Sequence, residues 1–273
     1  MYLAIDVGAT KTLIAVFSAE GKLVEERKIK TKADYKGFLA DLAAILQQDY
    51  FKKYTFGAVC CALPGRIDRQ RGVVKSFGNL AWKNVPVQAD ISKIVSGPAK
   101  VYIENDANLA GLYEAYLTHK KYRKVLYITL STGIGGGVIT DGKIDPTFAD
   151  SEIGHMLFEH DGKLQRWEEL ASGRALRQKY GMRASNINNP GIWQQYSKTV
   201  AKGLDALLAV LQPDVVIIGG SVGSYFEKFG HFLVTELKKY QNNMVQIPPI
   251  IKAQKAEEAV LYGCFEYIRQ QIG

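Results

Sequence analysis

One pattern occurs twice in this chain, and few folds accommodate it. Leu3, Ile5 and Val7 alternate with Tyr2, Ala4 and Asp6, Gly8-Ala9-Thr10 turns the chain, and Leu13-Ile14-Ala15-Val16-Phe17 returns. Glu20-Gly21 then turns it again into Leu23-Val24-Glu25-Glu26-Arg27. About 125 residues later the order repeats. Val125-Leu126-Tyr127-Ile128-Thr129-Leu130 is an apolar strand and Ser131-Thr132-Gly133-Ile134-Gly135-Gly136-Gly137 a glycine-rich turn. Val138-Ile139-Thr140 then returns to a second turn at Asp141-Gly142. Alternation with period two dictates strands, and the glycines dictate tight connections. A duplicated hairpin predicts two lobes built on related halves. No Pro/Ser-rich linker separates them, so the expectation is two lobes around a shared central cleft.

The intervening segments set the fold class. Phe56–Ala62 and Lys100–Ile103 have the apolar runs of buried strands, and Asp214–Ile218 is a strand running into Gly219-Gly220. Helical spacing marks residues 34–50, where Phe38, Leu39, Leu42, Ile45 and Leu46 share a face. It also marks 107–118, the neighbourhoods of 165–180, 190–211 and 224–240, and the closing 255–271. Strands alternating with helices predict an α/β protein. The expected division is an N-terminal lobe over 1–105, to which the closing helix at 256–273 returns, and a C-terminal lobe over 106–255.

Composition narrows the function classes. Hydrophobic residues make up 47% of the chain, enough for a buried core. No stretch reaches the roughly 18 uninterrupted apolar residues of a membrane span. The opening stretch carries Asp6 and lacks a basic leader, which predicts no signal peptide. Cys60, Cys61 and Cys264 are too few and too badly spaced for a disulfide framework or a zinc site, and predict reduced, buried thiols in a cytoplasmic protein. The net charge of +8 invites a polyanionic partner. Its densest run, His119-Lys120-Lys121-Tyr122-Arg123-Lys124, sits where a helix ends, and cations there suit the helix dipole. With no recognisable nucleic-acid module, neither nucleic acid nor membrane is expected as a partner.

Two segments carry phosphate chemistry. In Asp6-Val7-Gly8-Ala9-Thr10-Lys11-Thr12, the glycine lets backbone N–H groups approach phosphate oxygens, while Thr10 and Thr12 offer hydroxyls. Asp6 ends a strand and suits Mg²⁺, which keeps several waters and takes only one or two carboxylates. The run Ser131–Gly137 is a second such loop; it lacks the ending of a P-loop, and its glycines open no dinucleotide-binding unit. Two loops in matching hairpins can grip one triphosphate. Asp106 lies just inside a helix N-terminus, where the dipole favours its ionised form. Glu152 and His155, three apart, have the spacing of a metal pair but lack further ligands.

The order Asp6-x-Gly8-x-Thr10-Lys11-Thr12, then Glu104-Asn105-Asp106-Ala107-Asn108, then Ser131–Ile139 with Asp141-Gly142, then Glu152-x-Gly154-His155, then a strand ending in Gly219-Gly220, resembles the ROK family. That family comprises bacterial sugar kinases and repressors of the actin-like ATPase superfamily, and the resemblance covers nearly the whole chain. It implies two ribonuclease-H-like lobes and phosphoryl transfer from ATP, with Mg²⁺, to a hexose hydroxyl. It implies Asp106 as catalytic base and Gly65, Asn79, Asn105, Asp106, Glu152, His155 and Glu168 as sugar contacts. Gly8, Thr10, Lys11, Thr12, Thr132, Gly133 and Gly135 match the phosphate loops, and Gly219, Gly220 and Ser221 the stretch against the adenosine. Glucose at its 6-hydroxyl is the leading substrate; mannose, fructose, allose and N-acetylated hexosamines such as N-acetylmannosamine stay open. Homodimers are common among such proteins, but no interface is legible here.

The chain departs from that family at one place. Where most members carry a cysteine-rich zinc motif after the histidine, it has Glu159-His160-Asp161-Gly162-Lys163-Leu164-Gln165-Arg166-Trp167-Glu168. No structural zinc is therefore expected, and His155 must be oriented by hydrogen bonds. Zinc-free members include polyphosphate glucokinases, which keeps polyphosphate open as donor and a sugar-binding pseudokinase open as a different class. The repressor class is disfavoured, because the first phosphate loop begins at residue 6, before any DNA-binding domain.

Overall fold

In the computed structural model every residue from 1 to 273 is described except Asn79, Ser96 and Lys120. The opening hairpin becomes β1 (Tyr2–Val7) and β2 (Lys11–Phe17), extended by β3 (Leu23–Lys30). Helices α1 (Tyr35–Leu46) and α2 (Asp49–Lys52) follow, then β4 (Ala58–Leu63). A small sheet comes next, of β5 (Arg66–Asp68), β6 (Val73–Ser76) and β7 (Lys83–Val85). Then come α3 (Val87–Ile94), β8 (Lys100–Asn105) and α4 (Asp106–Tyr116). The second hairpin is β9 (Lys124–Leu130) and β10 (Ile134–Thr140), with β11 (Lys143–Ile144) beside it. Beyond it lie β12 (Leu157–His160), β13 (Lys163–Arg166), α5 (Trp167–Ala171), α6 (Gly173–Tyr180) and α7 (Pro190–Leu211). The chain closes with β14 (Val215–Gly219), α8 (Gly220–Gly223), α9 (Phe226–Leu237), β15 (Ile250–Lys252) and α10 (Ala259–Ile272).

Two compact units result: Met1–Tyr113 with Glu258–Gly273, and Glu114–Glu257. The sheet of the first runs β3-β2-β1-β4-β8, and that of the second β11-β10-β9-β14-β15. In each, the first three strands form an antiparallel meander and the last two join in parallel beside the first. The duplicated sequence pattern therefore becomes a duplicated topology.

In the first unit, Leu3, Ile5, Val7, Ile14 and Val16 meet Phe38, Leu42 and Leu46 of α1. Those helical residues recur every fourth position, and Asp34 caps the helix by accepting from the Gly37 N–H at 2.6 Å. Each such side chain, fully buried, contributes about 1.5–3 kcal/mol. On the other face α10 packs against β1 and β4, with Tyr262 and Phe265 against Phe17. The second unit is built on the 22-residue α7, which Asn189 caps and Pro190 opens. Trp193, Val200, Leu204 and Leu208 of that helix are buried against the sheet residues Leu126, Ile128 and Ile218 and against Phe229 of α9. No helix among the described residues is long and apolar enough to cross a membrane.

Candidate active site

In the first unit, β1, β4 and β8 end side by side, with Asp6, Ala62 and Glu104 in register. Sites at the carboxyl ends of parallel strands are a recurrent consequence of such topology. Asp6 is the penultimate residue of β1, and Gly8 turns the chain by donating its N–H to the Lys11 carbonyl at 3.0 Å. Thr10 and Lys11 are exposed on this turn. Gly65 follows the end of β4 with φ +103°, a conformation L side chains rarely adopt.

Asn105 and Asp106 mark the passage from β8 to α4. Asn105 caps the helix: its Oδ1 accepts from Ala107 N–H at 2.9 Å and Asn108 N–H at 3.2 Å. Its Nδ2 has no protein partner among the described residues. Asp106 Oδ1 accepts from Ala107 N–H at 2.8 Å. Burial raises the Asp106 carboxyl above its ordinary range, and the backbone N–H groups of Ala107 and Asp106 offset only part of that rise. The helix-dipole expectation of a favoured carboxylate is thus corrected: desolvation outweighs the helix end. Asp6 is pushed up to about 7, by burial first and by the charge of Asp106 second, with Lys11 opposing.

The second unit gathers the remaining candidates around its glycine loop. Thr132 is exposed at the tip. Gly133 lies under Glu168, whose Oε2 would stand 2.6 Å from any Cβ placed there. Glu168 Oε1 is 3.8 Å from His155 Nε2. Glu152 and His155 share one 3-10 turn, the His155 N–H donating to the Glu152 carbonyl at 2.9 Å. That turn packs on the loop strand, because Gly154 lies against the Ile134 carbonyl. Gly135 pairs with Thr129 inside the hairpin. Ser131 Oγ accepts the Ser221 N–H at 3.0 Å, and the Ser131 carbonyl accepts the Gly173 N–H at 2.6 Å. The loop, the Gly219-Gly220-Ser221 turn and the start of α6 are thereby tied together.

Matched to a model of known families, the chain fits "ROK family" over residues 2–271. The chain belongs to the ROK family. It is 31% identical to a glucokinase of Streptomyces coelicolor, over 98% of this chain and 97% of that protein. It is 27% identical to an N-acetyl-D-glucosamine kinase of Haemophilus influenzae, over 96% and 97%. A ROK hexokinase from Thermus thermophilus superposes with TM-score 0.80 at 25% identity, covering 100% of this chain and 99% of that one. The ROK fold is the two-lobed α/β fold of actin-like ATPases, and this ROK protein is a sugar kinase, a phosphotransferase with an alcohol as acceptor.

Within this ROK chain one sequence expectation changes. Thr12 does not face a phosphate: it is fully buried, and its hydroxyl pairs with Thr31 Oγ1 at 2.9 Å. Thr31 in turn donates to the Gly8 carbonyl at 2.8 Å, so Thr12 holds the first loop from behind. Gly219 and Gly220 sit where no side chain fits. Gly220 has φ +84°, and a Cβ there would stand 2.5 Å from Thr129 Oγ1 and 2.6 Å from the Leu130 carbonyl. A Cβ on Gly219 would collide with the Tyr127 hydroxyl. Asn79 lies outside the described residues. The sequence reading also missed Arg69. Its guanidinium grips Glu104 through Nε to Oε2 at 2.7 Å and Nη2 to Oε1 at 2.5 Å. An arginine in a turn gives no sequence signal for a partner 35 positions away.

Proposed function

We propose that this ROK kinase transfers the γ-phosphoryl of ATP to the 6-hydroxyl of glucose, with Asp106 as the base. The carrying observation is the Asp106 carboxyl, fixed at the β8–α4 passage, raised by burial and bonded only to backbone N–H groups among the described residues. A carboxylate so held is ready to accept the proton of an attacking hydroxyl as the phosphoryl group leaves. Asn105 keeps its Nδ2 for a sugar oxygen while its Oδ1 caps α4. Glu152, His155 and Glu168 supply acceptors and a donor for further hydroxyls, with Gly65 contributing backbone. An incomplete set of hydroxyls would leave these groups unpaired, which is the basis of sugar selection.

On the donor side, Gly8, Thr10 and Lys11 present one loop and Thr132, Gly133 and Gly135 the other, while Gly219, Gly220 and Ser221 take the adenosine. The residues fit a hard divalent cation: Asp6 is an acidic oxygen donor disfavoured in its charged form by burial and by Asp106. Bound there, Mg²⁺ would neutralise triphosphate charge, the main electrostatic demand of phosphoryl transfer. Support for glucose comes from the Streptomyces glucokinase relative, and support for an N-acetylated hexosamine from the Haemophilus one. A coupled assay of glucose, N-acetylglucosamine, N-acetylmannosamine, mannose, fructose and allose, each against ATP and polyphosphate, decides. Glucose with ATP is expected to give the highest kcat/KM. A higher value for another pair replaces that substrate or donor, and no turnover of any pair refutes the assignment.

A further inference from the structure

Glu104 is a carboxylate only 2% exposed, yet it makes no contact that sugar phosphorylation obviously needs. A buried charge is retained only with a full set of donors, and Glu104 has one. Arg69 approaches bidentately at 2.7 and 2.5 Å. The Asn105 N–H donates to Oε1 at 2.6 Å, and Asn108 Nδ2 donates to the same oxygen at 3.0 Å. The donors therefore include the residues on either side of Asp106-Ala107. Arg69 itself follows β5, the strand that leaves Gly65, so one carboxylate joins the Gly65 turn to the β8–α4 passage.

We propose that the Arg69–Glu104 pair is a positioning clamp that sets the placement of Asp106 for proton acceptance. The inference rests on the reading of Asp106 as base. The clamp works through the backbone: Glu104 fixes the Asn105 amide and the Asn108 side chain, and Asn105 fixes the Ala107 and Asn108 amides. The Asp106 carboxylate then has little freedom beyond its own side-chain torsions. A displacement near 1 Å at a reacting group costs up to about 10²-fold in rate. Arg is required because its planar fork matches both carboxylate oxygens, whereas a lysine ammonium is a single point charge.

The test compares Arg69→Lys, Arg69→Leu, Glu104→Gln and the double variant Arg69→Leu/Glu104→Gln in the full-length protein, with Asp106→Asn alongside. Each is assayed with Mg–ATP and the hexose turned over fastest in the panel. Arg69→Lys keeps the positive charge and should fold; its kcat should fall about 5- to 20-fold, with KM for ATP within about twofold of the parent. Arg69→Leu strands a buried carboxylate and should lose about 100-fold. The double variant removes the stranded charge and should recover at least threefold in kcat over Arg69→Leu. Unchanged kcat in a folded Arg69→Lys protein, or a double variant that loses the product of the two single losses, overturns the clamp. A parallel loss in KM for ATP also overturns it, because that marks general loosening. Asp106→Asn separates the two ideas: full turnover there removes the base assignment, whereas inactivity there with a silent Arg69→Lys removes only the clamp.

Discussion

At the scale of single residues, a partly buried acidic pair makes the site costly to fold. Asp6 is raised from 3.8 to about 7, and Asp106 is raised by burial as well. The native state therefore holds protons that the unfolded chain has already released. The stability that Asp6 contributes this way is present below the unfolded value near 4 and is lost as pH climbs through about 7; Asp106 acts in the same direction. Asp6→Asn should flatten that decline: between pH 5 and pH 8 its melting temperature should fall less than the parent's, by roughly a few degrees. Identical pH dependence in the two proteins would count against the raised Asp6. Asp106→Asn should lower kcat by roughly 10²–10⁴ while sugar affinity, measured by calorimetry, stays near the parent value. Activity within a few-fold of the parent removes Asp106 from the chemistry.

At the scale of elements, packing holds the stretch that follows His155. The segment after His155 is a two-stranded hairpin, β12 with β13, turned by Asp161 and Gly162 at φ 51° and 74°. Both positive values match the turn whose twist suits a hairpin. The hairpin delivers Trp167, fully buried, with its indole N–H on the Thr199 carbonyl at 3.0 Å and its ring against Gly203 of α7. Glu168, the next residue, is thereby set beside His155 and Gly133. Because packing anchors this stretch, a chelator should shift the melting temperature by less than about 1 °C, and elemental analysis should find no stoichiometric zinc. Trp167→Ala should destabilise by about 3–5 kcal/mol, the usual cost of deleting a buried ring. A tightly held zinc, or a Trp167→Ala protein as stable as the parent, contradicts this account. Gly220→Val, attractive as a probe of nucleotide binding, should instead disrupt the β14–α8 turn, because its Cβ has no space and φ is positive.

The chain as a whole depends on its last helix. Residues Glu258–Gly273 belong to the unit begun by Met1, and Gly263 lies so close to the Leu109 carbonyl that no side chain fits between. Cys264 and Ile268 are fully buried. Removing residues 258–273 uncovers Phe17 and the outer side of β1 and β4, so the truncated protein should show no cooperative thermal unfolding by circular dichroism. A cooperative transition within about 5 °C of the parent's would mean that α10 is dispensable. Another long-range tie, within the second unit, is made by Glu114. It is buried and accepts the N–H groups of Gln254 and Lys255 at 2.8 and 2.7 Å.

The sequence by itself determined the α/β class, the doubled hairpin and the larger helices, because those features are periodic and local. It also placed the two glycine turns and the strand-to-helix passage at Asn105-Asp106, because glycines and a capping asparagine mark such turns locally. Tertiary structure decided the rest. The strands β5, β6 and β7 are three or four residues long, too short to display a period, and β12 and β13 mix polar with apolar residues on both faces. Thr12 reads as a phosphate ligand until Thr31 is found behind it. Trp82 is buried among Tyr35, Phe38 and Phe77 with its N–H on the Ala33 carbonyl, partners that no local pattern names. The ionisation of Asp106 turned on desolvation, a sum over surrounding atoms that no local pattern encodes. Arg69 and Glu104 meet only because β5 and β8 are brought together, and long-range pairing of charges is what a linear sequence leaves undetermined.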